Sequence, residues 1–119
     1  MEQGQSLSVV ITPSVAGTPD QSSPFVVANI HDGNGKLINF EPSSPGQSTV
    51  LQSAPASQSG IWMLETAAIS GFGNYHVQMY LNAAVEEETV LGSTNNGIAT
   101  AQSIDGSELL LPGGGRRLA

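Results

Sequence analysis

A chain of 119 residues with a formal charge of −7, no cysteine and 11% charged side chains is one domain that can close a core without disulfide or metal staples. Its only cations are Lys36, Arg116 and Arg117, too few to displace counterions from a phosphate backbone, so nucleic acid is excluded and an anionic membrane surface disfavoured. No apolar run approaches the roughly 18 residues of a membrane span, and "MEQGQSLSVV" lacks the basic and apolar regions of a signal peptide, so the signal of an exported parent is expected outside this chain.

Period-two patterning governs the first two thirds. In "SLSVVIT", Leu7, Val9 and Ile11 alternate with Ser6, Ser8, Val10 and Thr12, which predicts a half-buried strand. "TPSVAGTPDQSSP" reads as a loop and "PFVVANIH" as a β-branched strand. "HDGNGK" joins two tight-turn dipeptides, so "KLINF" is expected to return as a hairpin partner. "STVLQSA" predicts a short strand between the loops "EPSSPGQS" and "PASQSG".

"GIWMLETAAI" sets Trp62, Leu64, Thr66 and Ala68 against Ile61, Met63, Glu65 and Ala67. "NYHVQMYLN" sets Tyr75, Val77, Met79 and Leu81 against Asn74, His76, Gln78, Tyr80 and Asn82. With "SGFGN" between them, these two segments predict the clearest strand pair of the chain. Trp62 and Tyr75 fall on the inward registers. Gly, Pro and β-branched residues interrupt every helical window. The expected fold is all-β, an antiparallel β-sandwich of jelly-roll or Ig-like type with about six to eight strands.

After Asn82 the character changes. "AAVEEETVLGSTNNGIATAQSIDGSELLLPGGGRRLA" holds a three-Glu cluster, a Gly/Ser/Asn stretch, a weak strand over Ile98–Ile104 and a Gly-rich end. The expected organisation is a sandwich module over 1–82, an acidic Gly/Ser/Asn linker over 83–97, and a last segment, 98–119. That segment reads as the start of a next repeat, or as a fold-back strand followed by a flexible tail.

The order of these motifs resembles the bacterial pre-peptidase C-terminal domain, a secreted β-sandwich or jelly-roll module. "EQGQSLSVVIT" is similar to its Gly-Gln strand, and "ANIHDGNGKLI" to its hairpin. "SGIWMLETAAISGFGNYHVQMYL" is similar to its closing pair of alternating strands around a Gly turn and Gly-x-Tyr. The likeness covers roughly residues 2–82. "NNGIATAQSIDGS" resembles the family's opening segment, yet here it follows the closing strand, and the strand that normally precedes Gly-Gln is missing. The resemblance therefore implies one unit of a tandem array, cut out of phase, with a sheet edge left open. Ile98, Ile104 and Leu109 to Leu111 are candidates to fold back over that edge.

Few residues here carry chemistry. His31, Asp32 and a serine make a catalytic trio only on paper, because no strained nucleophile turn such as G-x-S-x-G is present. His31, at the mouth of a turn, and His76, on a polar strand face, are expected to be solvated. Two distant histidines without cysteine do not make a zinc site. Glu86, Glu87 and Glu88, with Asn95, Asn96 and Asp105, offer the hard oxygens that calcium takes in sets of six to eight. Some relatives in the resembled family hold calcium at this junction. Asn96 stands where the family has Asp, which removes one charge. The competing reading of the cluster is a solvated acidic spacer.

Tyr80 lies on the polar register beside Gln78 and His76, and collagen-binding relatives use exposed tyrosines on a sheet face, so Tyr80 is the candidate ligand contact. No catalytic residue is assigned. The expectation is a non-catalytic spacer or adhesion unit of a secreted or cell-surface protein, with calcium as the one candidate cofactor. Its expected partners are neighbouring modules and an extracellular polymer or protein. The alternatives are a calcium-dependent collagen- or carbohydrate-binding module, or an accessory C-terminal domain of an exported peptidase.

Overall fold

The computed structural model describes residues 1–14, 24–53, 55–71, 73–85, 90–91, 97–101, 108–110 and 116–118. Six strands build the body: β1 (Leu7–Pro13), β2 (Phe25–His31), β3 (Leu37–Pro42), β4 (Thr49–Gln52), β5 (Met63–Ser70) and β6 (Tyr75–Leu81). They form two three-stranded antiparallel sheets, ordered β4-β1-β6 and β3-β2-β5. The chain is an all-β sandwich, as the alternation predicts. Among the described residues no helix is long and apolar enough to cross a membrane.

Val9, Ile11 and Leu51 of the first sheet pack on Val26, Ala28 and Ile30 of the second, with Leu7, Ile38, Trp62, Leu64 and Tyr75 around them. These are the inward registers of their strands, rich in β-branched side chains that fill a pleated face. Two serines extend the ladders. Val26 N–H donates to Ser43 Oγ while Ser43 N–H donates to Val26 O, and Leu7 and Ser53 repeat the exchange at the end of β4. Each serine thereby satisfies a backbone donor at a strand end where the regular ladder has stopped.

The structure departs from the sequence reading at three places. First, β5 and β6 are not a hairpin. They lie in different sheets, and the chain crosses between them at Gly71 (φ 74°) and Gly73 (φ 151°). Second, β1 is buried on both faces rather than one, with Ser8 and Val10 as covered as Val9 and Ile11. At Ser8 the segment after β6 lies against this face. Asn82, at φ 56°, turns the chain back, and residues 83–85 cross the outer face of the first sheet. Ser8 Oγ donates to Ala83 O at 2.6 Å and Gln52 Nε2 to Val85 O at 3.4 Å. Third, Ile98–Thr100 is a turn of 3-10 helix instead of the beginning of a strand.

Beyond it, β7 (Glu108–Leu110) pairs antiparallel with β8 (Arg116–Leu118) as a separate two-stranded sheet. Neither strand joins the sandwich.

Candidate functional site

The residues with chemical potential fall on three surfaces. On the outer face of the first sheet, Tyr80 lies opposite Ser8, Gln78 opposite Val10 and His76 opposite Thr12. The crossing segment covers the β1 and β4 side of this face and leaves the β6 side open. Tyr80 is 38% exposed there, and His76 is solvent-exposed as expected. Glu86, Glu87, Glu88, Asn95 and Asn96 lie outside the described residues, as does Asp105. Among the described residues no three His, Asp or Glu side chains gather in a metal-binding group.

The outer face of the second sheet carries a polar group that sequence reasoning did not assemble. Asn29 faces Glu65 across the β2–β5 ladder, and its Nδ2 donates to Glu65 Oε2 at 3.0 Å. His31 Nε2 lies 3.3 Å from the same oxygen and its Nδ1 3.4 Å from Gly35 O. A neutral imidazole donates from one nitrogen only, whereas the imidazolium donates from both. The two donors hold the Glu65 carboxyl below the usual carboxylate range, Asn29 contributing most and His31 next.

His31 is thus not a solvated side chain but one only 18% exposed beside the strand and turn around it. Around the group stand Phe40, opposite Asn29, and Leu37 and Met63, both opposite His31, all well exposed. The available signal was the pair of polar side chains, Asn29 and His31, interrupting an apolar run on alternate positions. Their partner on β5 follows only from strand pairing.

A small cleft of ≈ 90 Å³ opens at the β2–β3 turn between Trp62, Ile38, Asp32, Pro55, Ser57 and Gln58. That is room for about three waters and below the roughly 300 Å³ of a small-molecule site. Asp32 is already engaged, since its Oδ1 accepts from the backbone N–H groups of Asn34 and Lys36. "HDGNGK" is therefore a hairpin turn braced by its own aspartate.

The third surface is the open side of the sandwich. Val77, Met79 and Leu81 pair with Ile11, Val9 and Leu7 and so share their inward register. Yet they are 37%, 63% and 51% exposed. The other side of the sandwich is held differently, by Asn39 Nδ2 donating to Gln52 O at 2.7 Å between β3 and β4.

Compared with protein-family models, curated proteins and solved structures, the chain matches none of them.

Proposed function

We propose that this chain is a non-catalytic module of a secreted or cell-surface protein, resembling the bacterial pre-peptidase C-terminal domain and serving as a spacer or adhesion unit beside similar modules. The observation that carries the reading is how the sandwich is tied off. Ser6 N–H donates to Asn82 Oδ1 at 3.1 Å and Asn82 N–H to Ser6 O at 2.9 Å. The start of β1 and the end of β6 are therefore tied together at one point, from which residues 83–85 run on across the first sheet. Such a unit leaves the outer face of the second sheet and the β6 side of the first open to the surroundings while it occupies little length along the chain. Its polar groups support the same reading. Asp32 braces a turn, and Glu65 ties β2 to β5. Many weak contacts from repeated units supply avidity without strong single sites.

The second reading is a calcium-dependent module for collagen or a polysaccharide, favoured by Tyr80 on an open sheet face and by the acid cluster Glu86–Glu88 close behind it in sequence. Peptidase accessory function is the third, with catalysis elsewhere in the parent chain. One experiment separates the first two. The chain is passed over immobilised collagen and polysaccharides with calcium or with chelator, and calcium is titrated against its amide NMR spectrum. The spacer reading expects no saturable binding and no calcium-dependent shifts. Saturable, calcium-dependent retention that Tyr80→Ala abolishes overturns it in favour of the second.

A further inference from the structure

The cleft at the β2–β3 turn has walls fixed from two sides. The turn is closed by Asp32 N–H donating to Lys36 O at 2.9 Å and by Asp32 Oδ1, which accepts from the Asn34 and Lys36 N–H groups. Gly33 lies so near the start of β5 that a Cβ on it would stand 3.0 Å from Ile61 O. The facing loop, residues 55–60, is laced to the N-terminal segment. Gly4 N–H donates to Ala56 O and Ala56 N–H to Gln5 O, both at 2.8 Å. Gln3 N–H donates to Ser59 Oγ and Gly60 N–H to Met1 O, both at 2.9 Å. A ligand entering between these walls has little to order on binding.

The lining joins apolar surface to hydrogen-bond acceptors. Ile38 and Trp62 are half-buried against the core, and Pro55 adds to their surface. Asp32, also half-buried, spends only Oδ1 on the turn. Among the described residues, Asp32 Oδ2, the Ser57 hydroxyl and the Gln58 side chain have no partner within the protein, and no cation lies within ion-pair distance of Asp32. One residue on, Ser59 Oγ donates to Glu2 Oε2 at 2.8 Å, which brings a second carboxylate to this loop.

Apolar surface ending in acceptors is the complement of an amphipathic cation. Room for about three waters suits an ammonium and its last methylenes better than a planar guanidinium. With Oδ1 already accepting twice, Asp32 cannot take the two parallel hydrogen bonds that arginine favours. An ammonium carries three donors and no acceptor, and Asp32, Ser57 and Gln58 each offer it an oxygen. Its methylenes rest on Ile38 and Pro55, and the Trp62 ring adds its own attraction for the charge. Anions are disfavoured by the carboxylate in the cleft and by the −7 charge of the chain.

We propose that this cleft binds a primary alkylammonium group, either the tip of a partner's lysine side chain or a free alkylamine. Asp32 Oδ2 takes the charge, and Trp62 with Ile38 takes the stem. The assignment does not depend on the spacer reading, which is decided by polymers and calcium.

Trp62 is the only tryptophan and lines the cleft, so its emission reports occupancy. n-Butylammonium chloride is titrated into the full chain, with n-butanol and sodium chloride as controls at matched concentration. The ammonium is expected to give a saturable change with a dissociation constant on the order of millimolar, weakening as salt rises, and the controls none. Asp32→Ser keeps an oxygen for the turn and removes the charge. It is expected to raise the dissociation constant about tenfold with an unchanged circular dichroism spectrum. Ser57→Ala combined with Gln58→Ala, at exposed positions, is expected to raise it about threefold and serves as the test if the Asp32 variant does not fold. A capped tripeptide with a central lysine that binds more tightly than n-butylammonium assigns the group to a partner chain, and one that binds no more tightly assigns it to a free amine. A response that does not saturate, or that sodium chloride reproduces, overturns the proposal. So do folded variants that bind n-butylammonium as the wild type does.

Discussion

The hydroxyls of Thr66 and Tyr75 lie 3.0 Å apart and join the two sheets at the side where, among the described residues, no strand closes the sandwich. On the opposite side Asn39 reaches Gln52 O. Each is a side-chain link between layers whose core is held by apolar contact. Tyr75→Phe keeps the ring against the core and loses the link, at an expected cost of about 0.5–1.5 kcal/mol. Asn39→Ala is expected to cost a similar amount, and the double variant to equal the sum, because the two links share no partner. Urea unfolding of the four proteins measures this; a coupling above about 0.5 kcal/mol would show that the sheets shift as one when either link is cut.

Asn82 performs two tasks that substitution can separate. Its backbone sits at φ 56°, a left-handed conformation that Asn tolerates, and its side chain accepts from Ser6 N–H. Asn82→Gly keeps the conformation and loses the hydrogen bond, for about 1 kcal/mol. Asn82→Ala loses both, adding about 1–2 kcal/mol of backbone strain. The expected order of stability is therefore wild type, then glycine, then alanine. Equal unfolding midpoints for the two variants would mean that the turn relaxes and that the crossing segment is not anchored by it.

The strands were legible because alternation with a period of two survives any pairing scheme: Val9 and Ile11, or Leu64 and Thr66, point inward whichever strand lies beside them. What alternation cannot express is the identity of the neighbour. Two alternating strands joined by "SGFGN" make a hairpin or a crossing between sheets from the same residues, and the glycines at positive φ permit both. The burial of Ser8 was hidden for a related reason, since its hydroxyl bonds Ala83 O, 75 positions away in sequence. His31 and Glu65 were each legible as outward-facing, but their contact needs the β2–β5 register. The exposed row at Val77, Met79 and Leu81 is the converse case. Its pattern says core, and the sheet order says edge.

The two glycines of "HDGNGK" are required for different reasons. A Cβ on Gly33 would lie 3.0 Å from the backbone oxygen of Ile61, while one on Gly35 would meet open space at a φ of +79°. Gly33→Ala must therefore push the turn and the start of β5 apart, and Trp62, the only tryptophan, is next to that contact. A shift in its fluorescence is expected for Gly33→Ala and none for Gly35→Ala. The second variant is expected to lose about 1–2 kcal/mol through backbone strain, and Gly35→Asn less, because Asn adopts this conformation more readily. An unshifted emission spectrum for Gly33→Ala would count against the close approach.

Glu65 gives the sandwich a defined acid sensitivity. Its carboxyl is held below the ordinary value of 4.5 by hydrogen bonds from Asn29 first and His31 second. A group whose folded value is depressed contributes stability that is fully present above the unfolded value and lost as pH falls through the folded one. Wild type should therefore exceed Glu65→Gln in stability at neutral pH, and the gap should close as the solution is acidified from above 4.5 to below it, through the depressed folded value. The gap is small because the side chain is solvent-exposed and screened. The carboxyl carbon resonance of Glu65 measures the midpoint directly. Asn29→Ala is expected to move that midpoint toward 4.5 further than His31→Gln does, since Asn29 is the larger cause. The reverse order would make the imidazole, and not the amide, the group that holds the carboxylate across β2 and β5.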